Sequence, residues 1–220
     1  MFEILQQIVY PKKCAFCNML ISEYYTCKKC EKNLEYICTS NKIQIARNKY
    51  FDFIISSYFY TGIIRRKILE FKFENKKYLY KALSQKLLIS LKAYANMIDY
   101  VVYVPISLER YFERGYNQSK LIAKFLSNGI NKPLLNFVLL KNKNNKKQSK
   151  LSVVDRKLNV RNVYKIFNKR NIYGKTILLV DDIFTTGATV NECSKILKQC
   201  GVSSIIVATI AKAELKSHTL

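Results

Sequence analysis

The stretch ILLVDDIFTTGAT, residues 177–189, combines a strand, an acidic pair and a turn that leads into a helix. Its four apolar residues predict a buried central strand, which brings Asp181 and Asp182 to the carboxyl edge of a sheet. The following segment Ile183–Ala188 contains two threonines and one glycine. Because ligands bind at the carboxyl edge of open α/β sheets, this stretch predicts a binding site.

The turn after the acidic pair has the chemistry of a phosphate site. Backbone N–H groups and the positive end of a helix attract anions, threonine hydroxyls add donors, and a glycine permits close approach. Two carboxylates directly before such a turn suit a ribose 5-phosphate, whose hydroxyls they would bind. The alternative is an ordinary strand–turn–helix with a threonine cap and two solvated carboxylates, although adjacent carboxylates at a buried edge are costly without partners. The predicted contacts in the turn are Thr185, Thr186, Gly187, Ala188 and Thr189.

Apolar periodicity elsewhere in the chain alternates between strand and helix. This alternation predicts an α/β fold with a parallel sheet flanked by helices. The predicted strands are Phe53–Tyr60, Tyr100–Val104, Leu134–Leu140, Val163–Phe167, Lys175–Val180 and Ser204–Ile210. The predicted helices are Leu79–Met97, Asn117–Leu126 and Thr189–Cys200, and Gly62–Phe73 is a helix or a turn.

Four of the seven cysteines lie close together near the start of the chain, as Cys14-x2-Cys17-x9-Cys27-x2-Cys30. Two such pairs can place four thiolates around one zinc ion, at about 2.3 Å from the metal. The alternative is two disulfides, which need an oxidising compartment. With four protein ligands the zinc would be structural, so we predict a small zinc ribbon over residues 1–48 and a larger domain over residues 49–220.

The chain of 220 residues carries a net charge of +23, most of it from lysine. Such an excess predicts anionic partners, either phosphorylated small molecules or nucleic acid. No uncharged stretch approaches the roughly 18 residues of a membrane span, and nothing resembles a secretory signal. Cys193 and Cys200 are too far apart on a helix to form a disulfide. We therefore expect a cytoplasmic protein without a membrane span.

Several motifs together resemble one family. Residues 177–189 resemble the phosphoribosyl-pyrophosphate signature of the type I phosphoribosyltransferases. The remaining blocks are similar to those of the ComF family of competence-associated phosphoribosyltransferase-like proteins, and with the cysteines they cover nearly the whole chain. These blocks are Tyr60-Thr61-Gly62 with Lys72-Phe73, Val104-Pro105-Ile106-Ser107 with Arg110, Arg114-Gly115-Tyr116-Asn117-Gln118, and Gln148, Leu151, Arg156, Asn159 and Val160.

The resemblance implies a type I phosphoribosyltransferase fold with a five-stranded parallel sheet. It implies that Asp181 and Asp182 are catalytic residues facing the ribose hydroxyls and that the turn holds the 5-phosphate. Arg110 and Arg114 would bind the diphosphate together with Mg²⁺, although they could also form one solvated helical face with Glu109 and Glu113. The implied pyrophosphate loop consists of Val104, Pro105, Ile106 and Ser107.

The same resemblance implies a role in natural transformation, with phosphoribosyl pyrophosphate bound and single-stranded DNA handled in the cytosol beside other competence proteins. An active phosphoribosyltransferase with an unidentified acceptor is the alternative, and turnover stays open. The basic run at residues 141–175, with a net charge of +11, is either a nucleic-acid surface or a solvated loop. Its candidate DNA contacts are Lys143, Lys146, Lys147 and Lys150.

Overall fold

The computed structural model describes residues 12–22, 25–34, 36–37, 49–142, 163–168 and 172–213. The strands are β1 (Phe53–Phe59), β2 (Tyr100–Tyr103), β3 (Leu139–Lys141), β4 (Tyr164–Ile166), β5 (Thr176–Phe184) and β6 (Ser204–Lys212). The helices are α1 (Lys28–Lys32), α2 (Gly62–Phe73), α3 (Leu79–Lys92), α4 (Leu108–Arg114), α5 (Gln118–Gly129) and α6 (Ala188–Gln199), with a 3-10 turn at Ala95–Met97. None of these described helices has the length and apolarity needed to cross a membrane.

The core is a parallel sheet in the order β1-β6-β5-β2. The side chains of β5 alternate between two hydrophobic clusters, as the period of a strand requires. Leu178 and Val180 pack with α2, α3 and α5, whereas Ile177 and Leu179 pack with α6 on the opposite face. All four side chains are fully buried. The predicted α/β fold, a parallel sheet flanked by helices, is confirmed.

The predicted strand Leu134–Leu140 is wrong. Leu134 makes a single parallel bridge to Val101, and the chain then turns at Phe137, which has a φ of +57°. β3 begins only at Leu139 and pairs antiparallel with β4, away from the main sheet. The continuous apolar run hid this turn, so the described sheet has four parallel strands and one bridge where the resemblance implied five strands.

The cysteine-bearing segment packs onto the larger domain. Phe16 and Leu34 are buried in the same cluster as α3 and α5. Tyr36 forms an antiparallel bridge with Tyr58 of β1, and the neighbouring Ile37 N–H donates to a β1 carbonyl. The two parts therefore share apolar surface, while the boundary at residue 48 stays a prediction.

Candidate functional site

The acidic pair lies at the end of the central strand. β5 runs through both aspartates to Phe184, four residues further than the predicted strand. A turn follows, and α6 begins at Ala188 with Gly187 as its N-cap, at a φ of +73°. Thr186 Oγ1 accepts a hydrogen bond from Ala188 N–H at 3.3 Å, which fixes the turn. The sequence prediction of a strand, a glycine-containing turn and a helix is confirmed here.

Each of the two carboxylates has its own partners. Asp181 Oδ1 accepts hydrogen bonds from Ser119 Oγ and from Asp182 N–H, both at 2.9 Å. Asp182 Oδ2 lies 2.8 Å from the ammonium group of Lys72. Burial, followed by the negative charge of Asp182, raises the pKa of Asp181 to about 7. Asp181 therefore gains or loses its proton near neutral pH, and the ammonium group of Lys72 pairs with Asp182.

An open cleft of about 160 Å³ is lined by the acidic pair, the turn, the loop after β2 and one side of α4. Of the residues predicted to bind phosphoribosyl pyrophosphate, all of which lie in the described ranges, Ser107 alone does not line this cleft. It is buried, and its Oγ accepts a hydrogen bond from Arg110 N–H at 3.4 Å, so it caps α4. The predicted residues that line the cleft are Val104, Pro105, Ile106, Arg110, Arg114, Asp181, Asp182, Thr185, Thr186, Gly187, Ala188 and Thr189.

Arg114 is held in place on the cleft wall. Its Nη1 donates to Gln118 Oε1 at 3.1 Å, and its guanidinium carbon lies 4.9 Å from the centre of the Phe73 ring. Its buried Nε has no hydrogen-bond partner among the described residues. Burial lowers the pKa of Arg114, although an arginine keeps its charge in proteins. A fixed cation with an unused donor favours an anionic ligand, and its position on the cleft wall argues against a purely solvated helical face.

Seven residues that line the cleft were not predicted from the sequence, and four of them have polar side chains: Lys72, Ser119, Lys141 and Tyr164. Lys141 lies on β3 and its ammonium group is 5.8 Å from the Tyr164 ring of β4, so the antiparallel ribbon contributes to the cleft. Burial, followed by the charge of Arg110, lowers the pKa of Lys141 to about 8. Only the Lys72-Phe73 block in the sequence indicates that Lys72 is important, and the block does not indicate that Lys72 lies in the cleft.

The candidate DNA contacts Lys143, Lys146, Lys147 and Lys150 lie outside the described residues.

The second candidate centre is the cysteine cluster. The sulfur atoms of Cys14, Cys17, Cys27 and Cys30 all lie within 4.8 Å of one another. Cys17 Sγ and Cys27 Sγ are 3.7 Å apart, close to the roughly 3.8 Å expected for two ligands of a tetrahedral zinc–thiolate site. This distance is too long for a disulfide, whose sulfur atoms are about 2.05 Å apart. The arrangement fits a structural metal centre.

Backbone N–H groups also point at the sulfur atoms. Cys27 N–H donates to Cys14 Sγ at 3.3 Å, and Cys30 N–H donates to Cys27 Sγ at 3.4 Å. Burial on its own would raise the pKa of the Cys14 thiol. Hydrogen bonds to its sulfur, the strongest of them from the Cys27 backbone, outweigh the effect of burial and lower the pKa to about 6. Hydrogen bonds to sulfur stabilise the thiolate form, which is the form that binds zinc.

The fold, the acidic pair and the threonine-rich turn define a phosphoribosyltransferase-type domain, and residues 117–218 match the Phosphoribosyl transferase domain family. The chain is 28% identical over 206 residues to Competence protein F of Haemophilus influenzae, covering 91% of this chain and 90% of that protein. It is 29% identical over 196 residues to Competence protein ComFC of Bacillus subtilis, covering 88% and 74%. It is 28% identical over 145 residues to DNA utilization protein YhgH of Escherichia coli, covering 64% and 63%. Together with the cysteine cluster, these similarities support a ComF family protein.

Proposed function

We propose that this protein binds phosphoribosyl pyrophosphate in the cleft at the end of β5. The observation that carries the proposal is the meeting of three kinds of group in one cleft: the carboxylates Asp181 and Asp182, the turn before α6, and the cations Arg110 and Arg114. The carboxylates suit the ribose hydroxyls, the turn suits the 5-phosphate, and guanidinium groups match the geometry of a diphosphate.

The oxygen donors of the cleft fit Mg²⁺. This ion binds one or two carboxylates together with substrate phosphates and water, and both aspartates lie beside the proposed diphosphate position. Asp181 and Asp182 would hold the ion, and it would neutralise charge on the diphosphate. Lys72, at 2.8 Å from Asp182, orients that carboxylate before the ligand arrives.

In the cell, we assign this protein to DNA uptake during natural transformation, where it handles single-stranded DNA in the cytosol beside other competence proteins. Two relatives that span most of this chain are named competence proteins, and a third is named a DNA utilization protein. The net charge of +23 supports a polyanionic partner.

The ligand proposal is tested by calorimetry with phosphoribosyl pyrophosphate and Mg²⁺. We expect the Asp181→Ala, Asp182→Ala double variant to lose binding, with zinc retained and unfolding still cooperative. The matched control removes two exposed acids, Glu74→Ala with Glu109→Ala, and should bind like the unmodified protein. Equal affinity in the double variant and the control would reject the cleft as the ligand site.

A second candidate function is transfer of phosphoribose to an unidentified acceptor. It is favoured by three cations that line the cleft, Arg110, Arg114 and Lys141, because such a group can stabilise a departing diphosphate. Release of pyrophosphate in the presence of candidate nucleobases would support this activity. Binding without pyrophosphate release from any base tested would favour a ligand-binding role.

A further inference from the structure

A second hollow lies between α5 and the segment that leads to β3, and it shares no lining residue with the ligand cleft. Its volume is about 770 Å³, several times that of the cleft. Lys120, Lys124 and Asn128 line it from α5, and Lys132 and Phe137 line it from the segment opposite. We call it the α5 groove. It is large enough for an extended ligand that passes along the surface.

The α5 groove is positively charged along its length. Lys120, Lys124 and Asn128 are four residues apart, so they lie on one face of α5 at steps of about 6 Å. Lys132 adds a third cation, and none of the residues lining the groove is acidic. Within the described ranges, no carboxylate lies within ion-pair distance of these three lysines. Their charge is therefore available to a polyanion.

An exposed aromatic ring is also part of the groove. Phe137 is 55% exposed although it is a large apolar residue, and its φ of +57° is uncommon for a bulky side chain. The ammonium group of Lys120 lies 5.4 Å from the centre of its ring. The turn thus holds an aromatic face in solvent beside a cation, and both features are explained if the ring contacts a ligand.

We infer that the α5 groove binds single-stranded DNA, an inference that rests on the proposed role in DNA handling. The lysines neutralise successive phosphates, the Phe137 ring stacks on a base, and the amide of Asn128 is available to base edges. Proteins that bind single strands combine a basic groove with aromatic platforms in this way. Stacking needs an unpaired base, so the groove favours a single strand over a duplex.

The experiment measures the affinity of the full-length, zinc-loaded protein for a fluorescent oligothymidylate at several salt concentrations. The Lys120→Gln, Lys124→Gln, Lys132→Gln variant should lower the slope of log affinity against log salt by about 2, since each contact to a single strand contributes about 0.7. A charge-matched control removes three cations elsewhere, with Arg65→Gln, Lys92→Gln and Lys195→Gln, and should leave the slope nearly unchanged.

The aromatic platform is tested separately. Phe137→Asn should weaken binding about tenfold, because base stacking is lost, while the turn is kept because asparagine tolerates a positive φ. Phe137→Tyr keeps the ring and should retain affinity. Melting temperatures check that each variant is folded. Full affinity in a folded Phe137→Asn variant would remove this residue from the interface and overturn the stacking step.

The outcomes separate this inference from the proposed function. If the unmodified protein binds no single-stranded DNA, the DNA-handling role fails and the groove with it. If it binds DNA and the groove variant matches the control, the groove is rejected and the role stands. A second measurement needs no variant: photo-crosslinking of a bromodeoxyuridine oligonucleotide to the unmodified protein should label the segment containing Phe137. Labelling confined to residues 143–150 would place the DNA on that lysine-rich stretch of the sequence and would reject the groove.

Discussion

Asp181→Asn should stabilise the ligand-free protein above neutral pH while abolishing phosphoribosyl-pyrophosphate binding. Burial and the charge of Asp182 raise the pKa of Asp181 from its ordinary value of 3.8 to about 7. The asparagine keeps an Oδ1 acceptor for Ser119 Oγ and for the Asp182 N–H, so the local hydrogen bonds can survive. The substitution therefore removes an unfavourable buried charge at a small structural cost.

The sign and the magnitude follow from the two pKa values. Between pH 4 and pH 7 the folded protein binds a proton at Asp181 that the unfolded chain has released, so its stability falls as pH rises. The loss is about 1.4 kcal/mol per pH unit, or about 4 kcal/mol in total by pH 7. Of this, about 2 kcal/mol is lost between pH 5 and pH 7. We expect the stabilisation by Asp181→Asn to grow by about 2.5 kcal/mol between pH 5 and pH 8.

Denaturant unfolding at pH 5 and pH 8, with zinc present, measures this difference. The control is Asp99→Asn. Asp99 accepts a hydrogen bond from Thr176 N–H at 2.8 Å, which lowers its pKa. Its contribution to stability is lost only as pH falls below about 4, so its substitution should have equal effects at pH 5 and pH 8. If the effect of Asp181→Asn were also independent of pH, the carboxylate would not be held in the costly environment described here.

Three further predictions follow from the described contacts. Gly187→Ala should lower the free energy of unfolding by about 1–3 kcal/mol, because a Cβ would lie 2.6 Å from the Phe184 ring. Gly62 also has a positive φ but open space around it, so Gly62→Ala measures the cost of backbone strain alone. Equal losses of stability in the two variants would argue against the clash with Phe184. Arg114→Lys should weaken phosphoribosyl-pyrophosphate binding at least tenfold in calorimetry, because the fork geometry is lost, and unchanged affinity would remove this residue from the ligand. Zinc chelation should lower the melting temperature of the whole chain, since Phe16 packs in the core of the larger domain; melting of the sheet at its original temperature would mean that the two parts unfold independently.

The parts of the site that the sequence could predict are those that lie together in the chain. Residues 177–189 contain the strand, the acids and the turn in one run, so local patterning was sufficient. Lys72, Ser119 and Lys141 reach the cleft from three other elements, and no local pattern states which elements pack beside β5. The error at Leu134–Leu140 has a similar cause, because hydrophobicity marks burial but does not reveal that the chain turns at Phe137.

The block Arg114–Gln118 resembles a family motif, but the sequence does not show that part of it has a structural role. Two of its residues form part of the scaffold around the cleft and do not line it themselves. The Tyr116 hydroxyl donates to the carbonyl of Phe71 and so ties α2 to this block. Asn117 Nδ2 donates to the carbonyl of Val104 at 3.1 Å and holds the loop after β2. These contacts fix two walls of the cleft.

The same block leads into a helix that connects the cleft with the α5 groove. Asn117 Oδ1 caps α5 by accepting from Lys120 N–H at 3.1 Å. Successive helical residues point about 100° apart, and so three neighbours face three different places: Gln118 toward Arg114, Ser119 toward Asp181, and Lys120 toward Phe137. One helix therefore positions both a carboxylate partner in the cleft and a cation of the α5 groove.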